Sequence, residues 1–267
     1  MTDWDLLRAE SRAAIERRGE ALAWLRDAGG GLSLMWLDGR DAGAARTGER
    51  ALQHAALQIS LEPLHRSGAA PDPALCTLTH SPRGAPIVRV RGGAPIARPR
   101  VSFCHEGGAH LALAGCRPEL RGLGIDAVRL DRLRRRDAGY LRRLARRFLA
   151  PAGVAALEAE ERSGGREALL LGVAARFALT EAASKALGTG LRLGLGLSGS
   201  GGLLPREIGV VTWRAPARIE PGPGARRRMG ALRAAHIAGH AAYDDEYAVG
   251  AVLLLGAPGE TPRSGRT

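Results

Sequence analysis

Arg176-Phe-Ala-Leu-Thr-Glu-Ala-Ala-Ser-Lys-Ala-Leu-Gly-Thr-Gly190 is the stretch on which the reading of this chain turns. Its apolar and small residues recur at helical spacing, and Gly188 stands where a left-handed cap would close the last turn. Residues 168–187 therefore read as one helix. Glu181 and Lys185 are four apart and share a face of it, while Leu179, Ala183, Ala186 and Leu187 fall elsewhere on the wheel and can pack inward. An exposed pair of this kind is ordinarily a surface ion pair worth about 0.3–0.5 kcal/mol. Lys185, however, is the one lysine among 39 basic residues in a chain rich in Ala, Gly and Arg. Such composition reflects GC-biased coding, under which lysine gives way to arginine wherever either serves. A position that keeps the compact ammonium is a candidate for a task that the planar guanidinium cannot do.

Upstream, Leu123-Gly-Ile-Asp126 reads as a short strand ending in an acid. Asp126 and Glu181 together offer two carboxylates of the kind magnesium accepts, with water and substrate phosphate filling its remaining positions. Lys185 beside them would neutralise phosphate charge. Further upstream, Val101-Ser-Phe-Cys-His-Glu-Gly-Gly-Ala-His-Leu-Ala-Leu-Ala-Gly115 reads as strand, tight turn and second strand. His105 sits in the turn with Gly107 and Gly108, where exposed backbone N–H groups can cradle a phosphate. A lone histidine is as readily a hydrogen-bonded structural residue.

The rest of the chain is punctuated by Gly and Pro. Residues 4–27 read as an amphipathic helix with Leu7, Ile15, Leu22 and Leu25 on its apolar positions, and Leu32 to Leu37 as a strand. Residues 46–63 read as a helix capped by Thr47. Residues 67–74 and 81–99 read as loops around short strands such as Ile87 to Val90. Residues 131–149 are strongly basic, with Leu141, Leu144, Ala145 and Phe148 on one helical face, and Pro151 is expected to break that helix. Residues 162–166 read as a loop, 188–205 as irregular, Ile208 to Trp213 and Tyr247 to Leu255 as strands, and 257–267 as a disordered tail. The sum is an α+β chain of two pseudo-symmetric α/β halves, each a small antiparallel sheet packed by a long helix. The N-terminal half is expected over 1–122, and the C-terminal half, over 123–256, carries the metal motif and the catalytic helix.

Composition narrows the function. The 267 residues suffice for a sizeable core, and no apolar run reaches the ~18 residues of a membrane span. The N-terminus lacks the apolar core of a signal peptide, so a cytoplasmic protein is expected. Cys76, Cys104 and Cys116 are odd in number and form no CxxC pair, which argues against a disulfide framework or thiolate zinc site. The net charge of +12 points to an acidic partner. Aromatic residues are scarce and no nucleic-acid module is evident, so the basic 132–147 stretch reads first as a solvated helix face, next as a docking face for an acidic protein, and only then as a nucleic-acid site. Gly194-Leu-Gly-Leu-Ser-Gly199 fits a dinucleotide fingerprint but opens no helix, and reads as a loop. His236, His240, Asp244 and Asp245 are too loosely spaced for a metal cluster and read as surface.

Three ordered segments resemble the 4′-phosphopantetheinyl transferase superfamily. Val101-Ser-Phe-Cys-His-Glu-Gly-Gly resembles its strand with a Ser-His-Ser-Gly-like turn, Gly124-Ile-Asp126 its metal motif, and Phe177-Ala-Leu-Thr-Glu-Ala-Ala-Ser-Lys-Ala-Leu-Gly its [Trp/Phe]-x-x-Lys-Glu-[Ala/Ser]-x-x-Lys helix. Arg146-Arg-Phe-Leu-Ala-Pro and Tyr247-Ala-Val-Gly-Ala-Val are similar to further family stretches. The length resembles the monomeric, pseudo-dimeric branch, so a monomer is expected, although Lys-Ala-Leu-Gly-Thr-Gly is worded more like the short trimeric branch.

The resemblance implies that Asp126 and Glu181 ligate magnesium, that Lys185 contacts phosphate and acts in catalysis with Glu181, and that coenzyme A is bound by His105, Lys185, Cys104 and Arg83. The implied substrate is an apo acyl- or peptidyl-carrier protein, whose serine takes the phosphopantetheine arm as adenosine 3′,5′-bisphosphate leaves. The sequence departs from the family pattern at Val128, where many relatives have a second acid, at Thr180, at Cys104 and Glu106 flanking the histidine, and at Arg83-Gly-Ala-Pro86 in place of a Gly-Lys-Pro-like element. Those departures leave a second reading, a non-catalytic relative that binds coenzyme A or a carrier without turnover.

Overall fold

The computed structural model describes residues 9, 11, 13–16, 31–38, 49–81, 85–91, 99–191, 202–214 and 216–257. The helix expected over 4–27 falls largely outside these residues, as do the Thr47 cap, Arg83, Gly194 to Gly199 and all but the first residue of the expected tail; Ala9, Ser11 and residues 13–16 are helical.

The described chain runs β1 (Leu32–Asp38), α1 (Glu49–Arg66), β2 (Cys76–His80), β3 (Pro86–Val90), β4 (Arg100–Glu106), β5 (Ala109–Gly115), β6 (Leu120–Arg129), α2 (Leu130–Arg134), α3 (Ala138–Phe148), α4 (Pro151–Leu187), α5 (Pro223–Ala231), β7 (His236–Tyr243) and β8 (Tyr247–Leu255). Two three-stranded antiparallel sheets result, in the orders β1-β5-β4 and β6-β8-β7, beside the β2-β3 hairpin. In each sheet the first strand leads into a helix, two further strands follow, and the last inserts at the centre. The expected pair of similar α+β halves is therefore present in the topology, and the boundary expected after residue 122 falls inside β6.

The two sheets share a core of Trp36, Leu111, Leu113, Leu123, Ile125, Tyr247 and Val249. Trp36 meets the Tyr247 ring edge-on at 5.5 Å, a preferred arrangement for two quadrupoles. Along β6 the period of two sends Leu123, Ile125 and Ala127 into that core and turns Gly122, Gly124 and Asp126 to the other face. A Cβ on Gly124 would stand 1.8 Å from the Ala182 carbonyl oxygen, and one on Gly122 2.2 Å from that of Ala186. On β8, Gly250 pairs in register with Asp126, and a Cβ there would lie 2.6 Å from the Leu179 nitrogen. These three glycines form a groove into which the small-residue face of α4 settles, with Ala182, Ala183 and Ala186 buried.

Helix α4 corrects two expectations. Pro151 does not end the preceding helix, which stops at Phe148; it opens α4 at a first-turn position, where its missing N–H has no partner to lose. Nor is 162–166 a loop: helix continues through it, broken at Gly165 (φ 65°, ψ −154°). Arg176 braces the break. Fully buried, it makes two bonds to Glu160 (2.9 and 2.7 Å) on the far side of Gly165 and two to the Val211 carbonyl oxygen (3.1 and 2.9 Å). Trp213 Nε1 donates to the same Glu160 carboxylate at 3.2 Å, so the buried charge is paired and hydrogen-bonded.

Other expectations shift as well. Ile208 to Trp213 is not a strand: Gly209 takes φ 65°, and only Val210 bridges, to Ile219. The helix expected over 46–63 runs from Glu49 to Arg66. Strands β2 and β7 were not anticipated. Asp126 lies three residues inside β6 rather than at its end. Among the described residues no helix is long and apolar enough to cross a membrane.

Gly124→Ala is expected to cost at least ~2–3 kcal/mol, because backbone and not a flexible side chain must move. Gly230→Ala, on the exposed side of α5 with no atom within 4 Å of the new Cβ, should be neutral or stabilise by up to ~1 kcal/mol. Urea denaturation of the two variants checks the contrast.

Candidate active site

The glycine groove brings α4 close enough for Lys185 to reach across β6. Its ammonium donates to the carbonyl oxygens of Phe103 (3.1 Å) on β4 and Ile125 (3.0 Å) on β6, and to Asp126 Oδ1 (2.7 Å). All three ammonium protons are thus placed by one helix and both sheets. A guanidinium is too wide and flat to give three converging bonds from one nitrogen. Asp126 Oδ1 also accepts from Cys104 Sγ at 3.4 Å, and Ser102 Oγ, on the same strand β4, accepts from the Ile125 N–H at 3.1 Å.

Asp126 and Glu181 line a cavity of about 370 Å³ with His105, Glu106, Arg129 and Arg132. Its other end is apolar, walled by Val128, Leu133, Tyr140, Leu144, Val173 and Phe177. His105 and Glu106 close β4, and the turn itself is Gly107-Gly108, with both glycines at positive φ. His105 stacks on its cross-strand partner His110 with ring centres 4.3 Å apart. Glu106 accepts from Arg132 at 2.7 Å.

The electrostatics are under tension. Burial and the neighbouring Asp126 push the Glu181 carboxyl up to about 7, against the pull of Lys185. Burial also raises Asp126, opposed by Lys185 and augmented by Glu106. For Lys185 burial favours the neutral amine, but Asp126 outweighs it and holds the ammonium above the ordinary lysine range. Cys104 is pushed up to about 12 by burial and by Asp126, so at neutral pH it is an inert thiol donating to Asp126. Asp126 Oδ1 is occupied by Lys185 and Cys104, whereas Asp126 Oδ2 and the Glu181 carboxylate have no hydrogen-bond donor among the described residues. Hard oxygen donors, desolvated and short of positive charge, fit a magnesium ion, although among the described residues no group of three metal-ligating side chains converges.

The structure therefore brings together Asp126, Glu181, Lys185, His105 and Cys104. It turns Thr180 away, its hydroxyl donating to the Arg176 carbonyl oxygen at 2.7 Å, and it leaves Arg83 undescribed. The paired residues His236 and His240 lie on β7, while Asp244 accepts from two backbone N–H groups of the β7–β8 turn. Sequence reasoning missed the far side of Lys185. There two cavities, of about 500 and 300 Å³, share Lys185, Gly188 and Pro86, and Arg100, Arg121 and Arg228 line the larger.

With its carboxyl at about 7, against an ordinary value of 4.5, Glu181 holds a proton more tightly folded than unfolded. Its contribution to stability is greatest below pH 4.5 and is lost as pH rises through about 7. In chelator, Glu181→Gln should therefore match the parent near pH 5 and exceed it by ~1–3 kcal/mol at pH 8. Thermal melts at the two pH values read the difference, and equal stability at pH 8 would contradict a desolvated carboxyl.

A family model described as "4'-phosphopantetheinyl transferase superfamily" matches residues 122–205. The chain is 39% identical over 116 residues to a holo-[acyl-carrier-protein] synthase of Nitratidesulfovibrio vulgaris, covering 42% of this chain and 82% of that protein. It is 36% identical over 137 residues to the enzyme of that name from Halorhodospira halophila, covering 51% and 98%. Among solved structures it is similar to the holo-(acyl-carrier-protein) synthase of Bacillus anthracis in complex with CoA (3',5'-ADP), at 23% identity and TM-score 0.37 over 52% of this chain and 99% of that one. The matched segment holds β6 and α4, and with them Asp126, Glu181 and Lys185. The chain belongs to the 4′-phosphopantetheinyl transferase superfamily.

Proposed function

We propose that this chain transfers the 4′-phosphopantetheine arm of coenzyme A to a serine hydroxyl of an acyl- or peptidyl-carrier protein. The observation that carries the reading is the grouping of Asp126, Glu181 and Lys185, two carboxylates on one cavity and, bonded to Asp126, an ammonium fixed by three acceptors. In the reaction the serine oxygen forms a bond to the phosphorus next to the pantetheine arm. The bond from that phosphorus to the bridging oxygen breaks, and adenosine 3′,5′-bisphosphate leaves.

Asp126 and Glu181 would hold a magnesium ion, which when bound would neutralise the diphosphate and so support departure of the bisphosphate. Lys185 supplies a fixed positive charge beside that phosphate. His105, exposed at the cavity rim, is placed to contact a coenzyme A phosphate. Cys104 acts through Asp126, donating to it, and not on the cofactor directly. Glu181, or a water on the magnesium ion, would take the serine proton. Positioning and charge stabilisation supply most of the rate, as in other phosphoryl transfers.

The carrier is an acidic protein on this reading. Arg132, Arg136 and Tyr140 line the same cavity, and the basic residues of α2 and α3 extend from it. The cavity wall takes His105 and Glu106 from the N-terminal half, residues 1–122, and Asp126 and Glu181 from the C-terminal half, residues 123–256, which supports a monomeric enzyme. The three buried free thiols suit a reducing, cytoplasmic setting.

Intact mass of apo carriers incubated with the protein, coenzyme A and magnesium tests the activity directly. The carrier should gain one phosphopantetheinyl group, and Asp126→Asn, Glu181→Gln and Lys185→Ala should each slow the gain by ~10²–10³-fold. Coenzyme A binding without any gain, on several carriers, would leave the non-catalytic reading instead. Magnesium affinity of the parent should climb as pH rises through about 7 and the metal-free Glu181 loses its proton, a dependence absent from Glu181→Gln when both are titrated by calorimetry. Arg136→Glu should raise the carrier KM while leaving kcat near the parent value, with a weaker response to salt.

A further inference from the structure

Strand β4 turns every second side chain toward β6. Ser102 Oγ accepts from the Ile125 N–H, Cys104 Sγ donates to Asp126, and Glu106 is the next of that series. The turn that follows is seated on the C-terminal half. Tyr247 Oη donates to the Gly107 carbonyl oxygen at 3.3 Å, and a Cβ on Gly107 would stand 2.6 Å from Arg129 Cδ. Glu106 is thereby held at the cavity mouth, its side chain 22% exposed, and accepts from Arg132 Nη1 at 2.7 Å. Arg132 on α2 is the loose partner, with a side chain 72% exposed. Their bond crosses the mouth from the N-terminal half to the C-terminal half.

The charges on this cavity divide into matched and unmatched. Asp126 is bonded to Lys185, and Glu181 lies beside it. Of the three arginines on the wall, Arg129 is bonded to Asp131 at 3.1 Å and Arg132 to Glu106. Arg136 lies over the Tyr140 ring at 5.1 Å and has no ion-pair partner among the described residues. The mouth thus offers an approaching protein one guanidinium without an acid, where loss of the Glu106 carboxylate would offer two. A carrier serine has to reach a phosphorus beside Asp126 and Glu181, so the surface around that serine comes up to this mouth.

Resting on the transferase reading above, we propose that Glu106 is a specificity-determining residue for the carrier: it occupies Arg132 as a carboxylate of the carrier would, and a carrier that uses Arg132 must displace it. Exchanging one exposed ion pair for another yields little net gain. Arg132 is therefore largely withheld from the carrier, and Glu106 sets how much of the positive charge at the mouth a carrier can use. Arg132 is the side chain that swings, because Glu106 is fixed by its strand and turn.

The test reads KM for coenzyme A and for two carriers on the full chain: an acidic apo carrier, and the same carrier with the acids around its serine replaced by amides. Glu106→Gln should lower the KM for the acidic carrier by ~2–5-fold and leave that for the neutralised carrier near the parent value. It should also steepen the fall of kcat/KM with salt, since one more guanidinium meets the carrier. In the Arg132→Gln background the same substitution should change nothing, because no guanidinium remains to be released. Glu220→Gln removes an equal charge from the Arg218 pair outside the cavity and should leave the carrier KM as it was. A fall in carrier KM that persists in the Arg132→Gln background would overturn the assignment, since Glu106 would then act through its field alone. An equal fall in the KM for coenzyme A refutes it as well. So does an unchanged or higher carrier KM in a Glu106→Gln variant that turns over normally, the higher value meaning that Glu106 presents Arg132 to the carrier. If the parent modifies no carrier, the transferase reading itself fails.

Discussion

The ammonium of Lys185 holds the molecule's working parts in register. Its three bonds run to a strand of each sheet and to the acid beside it, so helix α4 and both sheets meet at one nitrogen. That convergence depends on a negative feature, the missing side chains of Gly122, Gly124 and Gly250. With ordinary side chains there the helix would stand off the sheet, and a lysine of fixed length would fall short. The small residues that look like compositional bias in Glu181-Ala-Ala-Ser-Lys185 are the complement of those glycines.

The same closeness creates the chemistry. Glu106 is paired with Arg132 and Asp126 with Lys185, but Glu181 faces the cavity without a hydrogen-bond donor among the described residues, and burial magnifies its want of positive charge. The folded protein tolerates this through the proton that Glu181 retains near neutrality and the donors fixed on Asp126. A cation finds a site whose electrostatic demands are already unmet, so binding relieves strain that folding alone leaves in place. The far side of Lys185 differs: Arg100, Arg121 and Arg228 line its larger cavity, and no acid does among the described residues.

Much of this was legible in the sequence because the determinants are local. The single lysine, its helical partner Glu181 and the apolar frame of Gly124-Ile-Asp126 each announce themselves within a few residues, and so does the hairpin around Gly107-Gly108. The rest depends on contacts distant along the chain. Ile208 to Trp213 has the apolar content of a strand, but Gly209 and the carbonyl of Val211, turned to Arg176, commit its backbone elsewhere. Residues 162–166 carry two glycines and read as a loop, whereas the Arg176–Glu160 bond across Gly165 holds helix on both sides. Arg228 is one arginine in a run of three, and only the end of α4, some forty residues away, distinguishes it. Strand β7 hides its period because its histidines and alanines sit at an edge of the sheet.

The repeated plan of the two sheets has an evolutionary consequence. Each sheet arises from strand, helix and two strands with the last at the centre, yet only the second carries Asp126 and the Glu181–Lys185 helix. The first contributes a wall: Phe103, Cys104, His105 and Glu106. In an assembly of identical copies, every substitution in a wall would be repeated in the acid-bearing unit as well. Here the two walls are separate stretches of one gene, and drift at Glu106 or Cys104 leaves the stretch that carries Asp126, Glu181 and Lys185 under its own selection.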